Sequence, residues 1–278
     1  MVAPVASRGP LGLGASAESI VRAVAASRRQ ARLRFRLIFI VTWLLIVGGL
    51  ALLIGSTGRI DLDFLAKWGP FILGGIPITI AVSVTSIFFA TLFALFGALG
   101  RLSRAAPIYA AATLYVSLVR GTPLIVQVFF VFSALPEFGV VLPAFVAGCL
   151  ALSFNYGAYM TEIFRAGIQA IPRGQVEAAA SLGMTERQTM RRIVLPQAIR
   201  IVIPAIGNEF IAMIKDSALV SFVALQELFW RARTVGSSHF QSFSTLVLAA
   251  LIYWVLTIVF SLVQERLEKR MAESDVRI

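Results

Sequence analysis

The sequence has little charge and almost none of the side chains that bind metals or form disulfides. Of its 278 residues 14% are charged, one is a cysteine (Cys149) and one is a histidine (His239). A lone cysteine excludes an internal disulfide, and a histidine without cysteine or carboxylate partners cannot build a metal site. The phosphate-binding loop G-x-x-x-x-G-K-[ST], the G-x-S-x-G elbow and the H-E-x-x-H motif are also absent. We therefore predict no enzyme active site, no metal and no cofactor in this chain.

What the chain has in abundance is apolar residues, at 58%, with a mean hydropathy of +0.86. This is far above the apolar fraction of a soluble domain and predicts an all-α integral membrane protein. An Arg120-Gly-Thr-Pro123 segment interrupts the third apolar run, and its proline predicts a kink or break there. The six predicted spans are approximately 38–54, 76–99, 105–135, 140–161, 193–214 and 243–263.

The N-terminal segment is small, polar and rich in arginine. We expect disorder at its start and a basic helix on the membrane surface over 19–36. The 17 apolar residues that follow imitate a signal peptide. However, no small-x-small cleavage site stands out after Ile54, so we favour an uncleaved anchor helix over a cleaved leader.

The distribution of basic residues predicts the topology. With the N-terminus in the cytoplasm, 19 of the 25 Lys and Arg residues fall on the inner side. The positive-inside rule therefore places both termini in the cytoplasm. The formal net charge of +11 then reflects this topology and contact with anionic lipid, and we predict no nucleic-acid partner.

The inner loop 171–192 has the local signals of two short helices. Pro172 suits a first turn, and Gly183 suits the left-handed position after a helix. Thr185, with Gln188 three residues later, matches a capping box. Small residues on the first helix would let another protein approach closely (Ala178, Ala179 and Ala180). A structured cytoplasmic loop of this kind predicts a docking site for a soluble partner.

Polar groups inside the predicted spans are costly and indicate function. Glu209 and Asp216 are seven residues apart and share a helix face, as do Asn208 and Lys215. Structural alternatives remain open. Arg120 could brace the kink, and Lys215 and Asp216 could be interfacial anchors. The polar residues of the fourth span could instead join helices (Asn155, Tyr156, Tyr159 and Thr161). The predicted substrate-path residues are Arg120, Thr122, Asn155, Tyr156, Asn208, Glu209, Lys215, Asp216 and Ser217.

The inner loop resembles the EAA loop of ABC-importer permeases. Glu177-Ala-Ala, Gly183 and Ile193-x-Leu195-Pro196 match its pattern at every position. Further segments resemble the polar amino acid branch of that family, which includes histidine, glutamine, arginine and opine permeases. These segments are Gly75-Ile-Pro-Ile-Thr-Ile, Tyr115-Val-Ser-Leu-Val-Arg-Gly-Thr-Pro-Leu, Asn155-Tyr-Gly-Ala-Tyr and Asn208-Glu-Phe-Ile-Ala-Met-Ile-Lys-Asp-Ser. Ser117, where many relatives carry an acid, and Ala218, where a hydroxyl is frequent, depart from the pattern.

The resemblance implies the five-helix transmembrane core of a type I ABC importer over 69–266, plus one accessory helix. The expected divisions are a basic cytoplasmic tail 1–36, the accessory span 37–56, the core with its coupling loop 171–192, and a cytoplasmic tail 267–278. The residues that couple to the ATPase would be Glu177, Ala178, Ala179, Gly183 and Arg187.

The resemblance also implies partners in a bacterial cytoplasmic membrane. Two separate subunits would bind ATP and Mg, and a second permease subunit would complete a homodimer or heterodimer. An extracytoplasmic binding protein would deliver a polar amino acid. Two alternatives from other classes are a secondary transporter driven by an ion gradient and a membrane scaffold or receptor that does not transport.

Overall fold

A computed structural model describes the backbone of residues 13–275 and the side chains of residues 28–271. Within 13–275 the structure is helical and contains no β-strand. It divides into two compact units, residues 1–60 and residues 61–278. The predicted all-α membrane architecture is confirmed, whereas the predicted disorder at the start of the chain lies outside the described residues.

The first unit contains one helix, α1 (Leu13–Ser56), of 44 residues. The surface helix and the anchor span that we predicted separately are thus one continuous helix, because no glycine or proline interrupts residues 15–47. At ~1.5 Å per residue it is about 66 Å long, roughly twice the hydrocarbon thickness. Its apolar part is exposed on every side within its own unit, as expected of a helix whose surroundings are lipid.

The second unit carries the remaining helices. They are α2 (Leu62–Leu73), α3 (Ile76–Arg101), α4 (Ala106–Arg120), α5 (Leu124–Phe129), α6 (Ala144–Gln169), α7 (Arg173–Ser181), α8 (Glu186–Thr189), α9 (Leu195–Asp216), α10 (Leu228–Ser238) and α11 (Ser242–Asp275). Single π turns extend α5 and join α8 to α9, at Phe130–Ala134 and Met190–Val194. Short 3-10 segments follow at Leu135–Phe138 and, after α9, at Ser217–Val223.

By length and composition, four helical stretches of the described chain can cross a membrane, or five if a bent pair counts as one span. They cover five of the six predicted spans. The sixth, α6, has 26 residues but a polar C-terminal half. Half of its residues are buried within the unit, so it does not need to be apolar on every face.

Small residues let α3 and α6 pack closely, and this contact forms the centre of the unit. Ala90 and Ala94 on α3 are fully buried, and so are Ala158 and Leu152 on α6. A Cβ atom added at Gly97 would overlap the side chain of Thr161. The two backbones can approach this closely because glycine has no side chain.

The predicted break in the third span is confirmed at Pro123, where α4 and α5 meet at 105°. Side chains satisfy the carbonyls that the break releases. The Gln127 amide donates to the Val119 carbonyl at 2.8 Å, and the Thr122 hydroxyl donates to the Leu118 carbonyl at 3.0 Å. The break therefore has a fixed geometry.

Candidate functional site

A polar cavity of about 410 Å³ lies where the α4–α5 break faces α6 and α9. Four parts of the sequence supply its lining: the break, one side of α6, the middle of α9 and the C-terminal end of α9. The lining residues are Arg120, Gly121, Thr122, Pro123, Leu124, Asn155, Tyr156, Tyr159, Glu209 and Asp216. Such a size suits a small solute.

The structure brings six of the nine predicted substrate-path residues to this cavity: Arg120, Thr122, Asn155, Tyr156, Glu209 and Asp216. The other three lie elsewhere. Asn208 and Lys215 are exposed and do not line the cavity, because their shared face of α9 turns away from it. Ser217 is buried and donates its hydroxyl to the Ile214 carbonyl at 2.7 Å, which is a local bond at the end of α9.

Two carboxylates of α9 form the acidic wall of the cavity. The Tyr156 hydroxyl donates to Asp216 at 2.8 Å, and Glu209 lies two turns earlier on the same helix face. Among residues 28–271, neither carboxylate makes an ion pair with a Lys or Arg side chain. The wall therefore presents negative charge to whatever enters the cavity.

Arg120 supplies the basic side of the cavity. Its guanidinium lies over the ring of Tyr159, 5.1 Å from the ring centre. This stacking holds the positive charge at the α4–α5 break by a cation–π contact. Arg120 and Glu209 line the same cavity, but no ion pair joins them among the described side chains.

Sequence analysis missed Gln127, which positions a cavity residue. Its amide donates to Thr122 and to the Val119 carbonyl, and its carbonyl oxygen accepts from Asn155 at 3.2 Å. Gln127 thus connects the break to α6. The available signal was that Gln127 is the sole polar residue of the otherwise apolar α5.

A second missed group is Glu227, which is fully buried outside the cavity. Its carboxylate accepts hydrogen bonds from the Tyr253 hydroxyl at 2.6 Å, the Thr79 hydroxyl at 3.2 Å and the Trp230 backbone N–H at 2.7 Å. These bonds join the start of α10 to α3 and α11. In the structure Glu227 is the N-cap of α10, but glutamate is not among the preferred N-cap residues, so no sequence pattern indicates this role or its distant partners.

The loop 171–192 has the local structure that the sequence predicts. Pro172 precedes α7, and Gly183 adopts φ +75° after it. The Met184 N–H then donates to the Ala179 carbonyl at 3.0 Å, which completes a Schellman motif. Thr185 and Gln188 form the predicted capping box of α8. These bonds therefore fix the residue at which α7 ends and the residue at which α8 begins.

The loop presents a mixed surface. Glu177, Ala178, Gly183 and Arg187 are exposed, but Ala179 is only 4% exposed. Ala179 therefore packs against its own chain and does not belong to the small-residue face that we expected to be available to a partner. Ala179 lies about 100° around the helix from Ala178, which explains why one is buried and the other exposed.

Side-chain bonds connect the loop to the helices beside the cavity. Gln197 on α9 donates to Gln175 on α7 at 2.6 Å. Arg104, which follows α3, pairs with Glu186 on α8 at 3.0 Å, although both side chains are highly exposed and the pair adds little stability. The Gln197–Gln175 bond thus joins α7 to α9, the helix that carries Glu209 and Asp216.

No group of three metal-binding side chains occurs among the described residues.

Comparison with known proteins identifies relatives of this chain. A family model described as "Binding-protein-dependent transport system inner membrane component" matches residues 90–273. The L-cystine transport system permease protein TcyB of Bacillus subtilis is 40% identical over 80% of this chain and 94% of its own length. The arginine transport system permease protein ArtQ of the same organism is 37% identical over 77% of this chain and all of its own.

Solved structures of transporters have the same fold as this chain. An amino acid ABC transporter crystallised with histidines aligns with a TM-score of 0.73 and 40% identity, over 76% of this chain and 99% of its own. The methionine transporter MetNI, at 20% identity, shares the fold with a TM-score of 0.59 over 72% of this chain and 95% of its own.

Proposed function

Because this chain belongs to the family of binding-protein-dependent transport system inner membrane components, we propose that it is the permease subunit of an ATP-driven importer of polar or charged amino acids. Members of this family are transmembrane permease subunits and are not themselves catalytic, because a separate subunit hydrolyses ATP. The relatives named for cystine and arginine support amino acids as the substrate class.

The observation that carries the proposal is the cavity, with carboxylates on one side and a guanidinium on the other. An amino acid has an α-ammonium that can bind Glu209 and Asp216, and an α-carboxylate that can bind Arg120. Asn155 and Tyr156 add neutral hydrogen-bonding groups. Since the two carboxylates make no ion pair with a described basic side chain, a substrate cation would satisfy them.

The loop 171–192 is proposed to couple the permease to ATP hydrolysis. The partner subunits, two per transporter, would bind ATP and Mg and dock on Glu177, Ala178 and Arg187 of each loop. Gly183 would keep the angle between α7 and α8, and Ala179 would support α7 from inside. Rigid-body motion of α7 would then reach the cavity through the Gln175–Gln197 bond and α9.

The assembly is proposed to contain a second permease subunit, as a homodimer or a heterodimer, and an extracytoplasmic amino-acid-binding protein. We place it in the bacterial cytoplasmic membrane with both termini in the cytoplasm, as the positive-inside rule favours. The divisions 1–36, 37–56, 69–266 and 267–278 stay part of this proposal. The compact unit that begins at Asp61 and the family match over 90–273 support the core.

Uptake by proteoliposomes tests the proposal. The permease is reconstituted with its ATPase subunit and binding protein, and labelled amino acids are supplied on the binding-protein side. We expect uptake only when ATP is present on the side of the ATPase, and inhibition by unlabelled polar amino acids. Uptake without ATP that an ionophore abolishes would indicate a secondary transporter, and no uptake under any condition would indicate a scaffold or receptor.

A further inference from the structure

The end of α10 has a bulky residue where helices normally place glycine. The Gln241 N–H donates to the Gly236 carbonyl at 2.8 Å, which is the closing bond of a Schellman motif, and residue 240 adopts φ +58°. Glycine dominates at this left-handed position because a Cβ atom strains the backbone there. In this chain the residue is a phenylalanine, Phe240, and it is 96% exposed.

Two other turns of the same chain show the ordinary solution. Gly139, at φ +82°, occupies the left-handed position of a motif closed by the Val140 N–H and the Leu135 carbonyl, at 3.1 Å. Gly183 does the same after α7. The turn at Phe240 therefore combines two unfavourable features, a strained backbone and an aromatic ring that no described part of the chain covers. No ring contact of Phe240 within the described side chains compensates for either.

The turn holds Phe240 on a rigid base. The ring of His239 lies 4.7 Å from that of Trp68 and 5.4 Å from that of Phe64, measured between centres. A ring nitrogen of His239 is also hydrogen-bonded to the Val235 carbonyl at 3.0 Å. These contacts fasten the turn to α2, so Phe240 projects from a fixed position.

The surroundings of Phe240 favour a protein partner over lipid. Its neighbours in the sequence are polar on both sides (Ser237, Ser238, His239, Gln241 and Ser242), and the apolar run of α11 begins only at Phe243. The aromatic residues nearest the turn, Phe64 and Trp68, are half-buried against His239. Membrane interfaces enrich Trp and Tyr, whose rings have a polar end, which phenylalanine lacks. A single projecting aromatic ring between polar sequence neighbours is typical of the anchor of a protein–protein interface.

The position of the turn indicates which partner. The 22 residues of α9 separate it in sequence from the coupling loop, and in the proposed topology it lies on the extracytoplasmic side. We infer that Phe240 anchors the surface on which the extracytoplasmic binding protein docks, by inserting its ring into an apolar pocket of that protein. This inference rests on the proposed function, since it requires a binding protein that delivers the solute.

Photo-crosslinking identifies the partner. Phe240 is replaced by the photoreactive p-benzoylphenylalanine in cells that express the complete transporter, and adducts formed on irradiation are identified by mass spectrometry. We expect an adduct with an extracytoplasmic solute-binding protein. An adduct with lipid or with a permease subunit, or no adduct, would overturn the inference.

Substitutions then separate docking from folding. Phe240→Gly removes the ring and relieves the backbone, whereas Phe240→Ala removes the ring and keeps the strain. With the crosslinked binding protein as the probe, we expect both to raise the concentration for half-maximal ATPase stimulation at least tenfold. Phe138→Ala, which removes another highly exposed phenylalanine beside a Schellman turn, is the matched control and should leave this concentration unchanged.

The melting temperature of the purified complex gives the second readout. Phe240→Gly should melt no lower than the wild type, and a lower melting temperature would show that the ring stabilises its own fold, against the inference. A wild-type complex that neither transports nor responds to any binding protein would refute the proposed function itself. A responsive wild type with an equally responsive Phe240→Gly would refute the docking role alone.

Discussion

The hydroxyl of Tyr253 on α11 donates a 2.6 Å hydrogen bond to the buried carboxylate of Glu227 at the start of α10. Thr79 on α3 donates to the same carboxylate, so three helices meet at one side chain. Burial raises the pKa of Glu227 above its ordinary value. The hydrogen bonds favour the ionised form and partly oppose this rise. The cluster thus fixes the position of α10, whose far end carries Phe240.

Breaking this cluster is expected to destabilise the complex. Tyr253→Phe removes one donor from a buried carboxylate and should cost roughly 1–3 kcal/mol of folding free energy. Glu227→Gln should be destabilising as well. The variant that carries both substitutions should lose less folding free energy than the two single variants together, since the two residues are in contact. Unfolding of the purified complex measures this. Tyr109→Phe is the control, because it removes only a long hydrogen bond at an exposed site. An equal loss of folding free energy in the control would contradict the stabilising role of the Glu227 cluster.

Removing the charge of Glu209 is expected to weaken substrate handling. Glu209→Gln keeps the size of the side chain but removes one of the two carboxylates facing the cavity. Loss of one charged contact should raise the concentration for half-maximal uptake by about tenfold, which corresponds to ~1.4 kcal/mol. Complex assembly should be unchanged on size-exclusion chromatography. The adjacent Asn208→Ala lies outside the cavity and serves as the control, and equal uptake by both variants would remove Glu209 from the path.

A side chain at Gly183 is expected to disturb coupling. Valine at φ +75° strains the turn between α7 and α8 by about 1–2 kcal/mol. Gly183→Val should insert normally into the membrane but hydrolyse ATP with little uptake. The ratio of solute transported to ATP hydrolysed is the measurement. Gly174→Val, at a position with open space and no left-handed backbone, is the control, and a normal ratio for Gly183→Val would contradict the coupling role.

Reversing the charge at Glu177 is expected to weaken attachment of the ATPase. The side chain is exposed on α7, and Glu177→Lys places a positive charge on the proposed docking helix. Less ATPase subunit should then co-purify with the variant than with the wild-type permease. The remaining complex should also dissociate at lower salt concentration. Glu265→Lys on the exposed C-terminal part of α11 is the comparison. Unchanged co-purification for Glu177→Lys would reject the assignment.

Removal of residues 1–56 is expected to affect membrane insertion more than transport. These residues belong to the first compact unit, whereas the second unit begins at Asp61. Membrane yield should fall, because the remaining spans must start from the other side and rely on their basic loops for orientation. Uptake per inserted molecule should be largely kept. N-terminal sequencing of the intact protein complements this test, since a first residue after 54 would show that the anchor is cleaved.

Local features were predictable because neighbouring residues decide them. Pro123, two residues after Gly121, favours a break at this point, since it lacks the N–H and disfavours helix at Thr122. Proline alone does not decide such a break, because Pro70 and Pro204 lie inside continuous helices. Gly183, Thr185 and Gln188 specify the two helix ends of the loop through bonds that span at most five residues. The seven-residue spacing likewise put Glu209 and Asp216 on one face before their surroundings were known.

Tertiary structure alone decided which faces turn inward and which distant groups meet. Periodicity paired Asn208 with Lys215 as readily as Glu209 with Asp216, and only the packing of α9 brought the second pair to the cavity. Glu227 and Tyr253 are 26 residues apart, and Asn155 and Gln127 are 28 apart, so no local pattern indicates these bonds. The sequence determined where this chain crosses the membrane and where it bends. The packing of its helices determined what the cavity contains, because side-chain contacts between separate helices depend on their relative rotation.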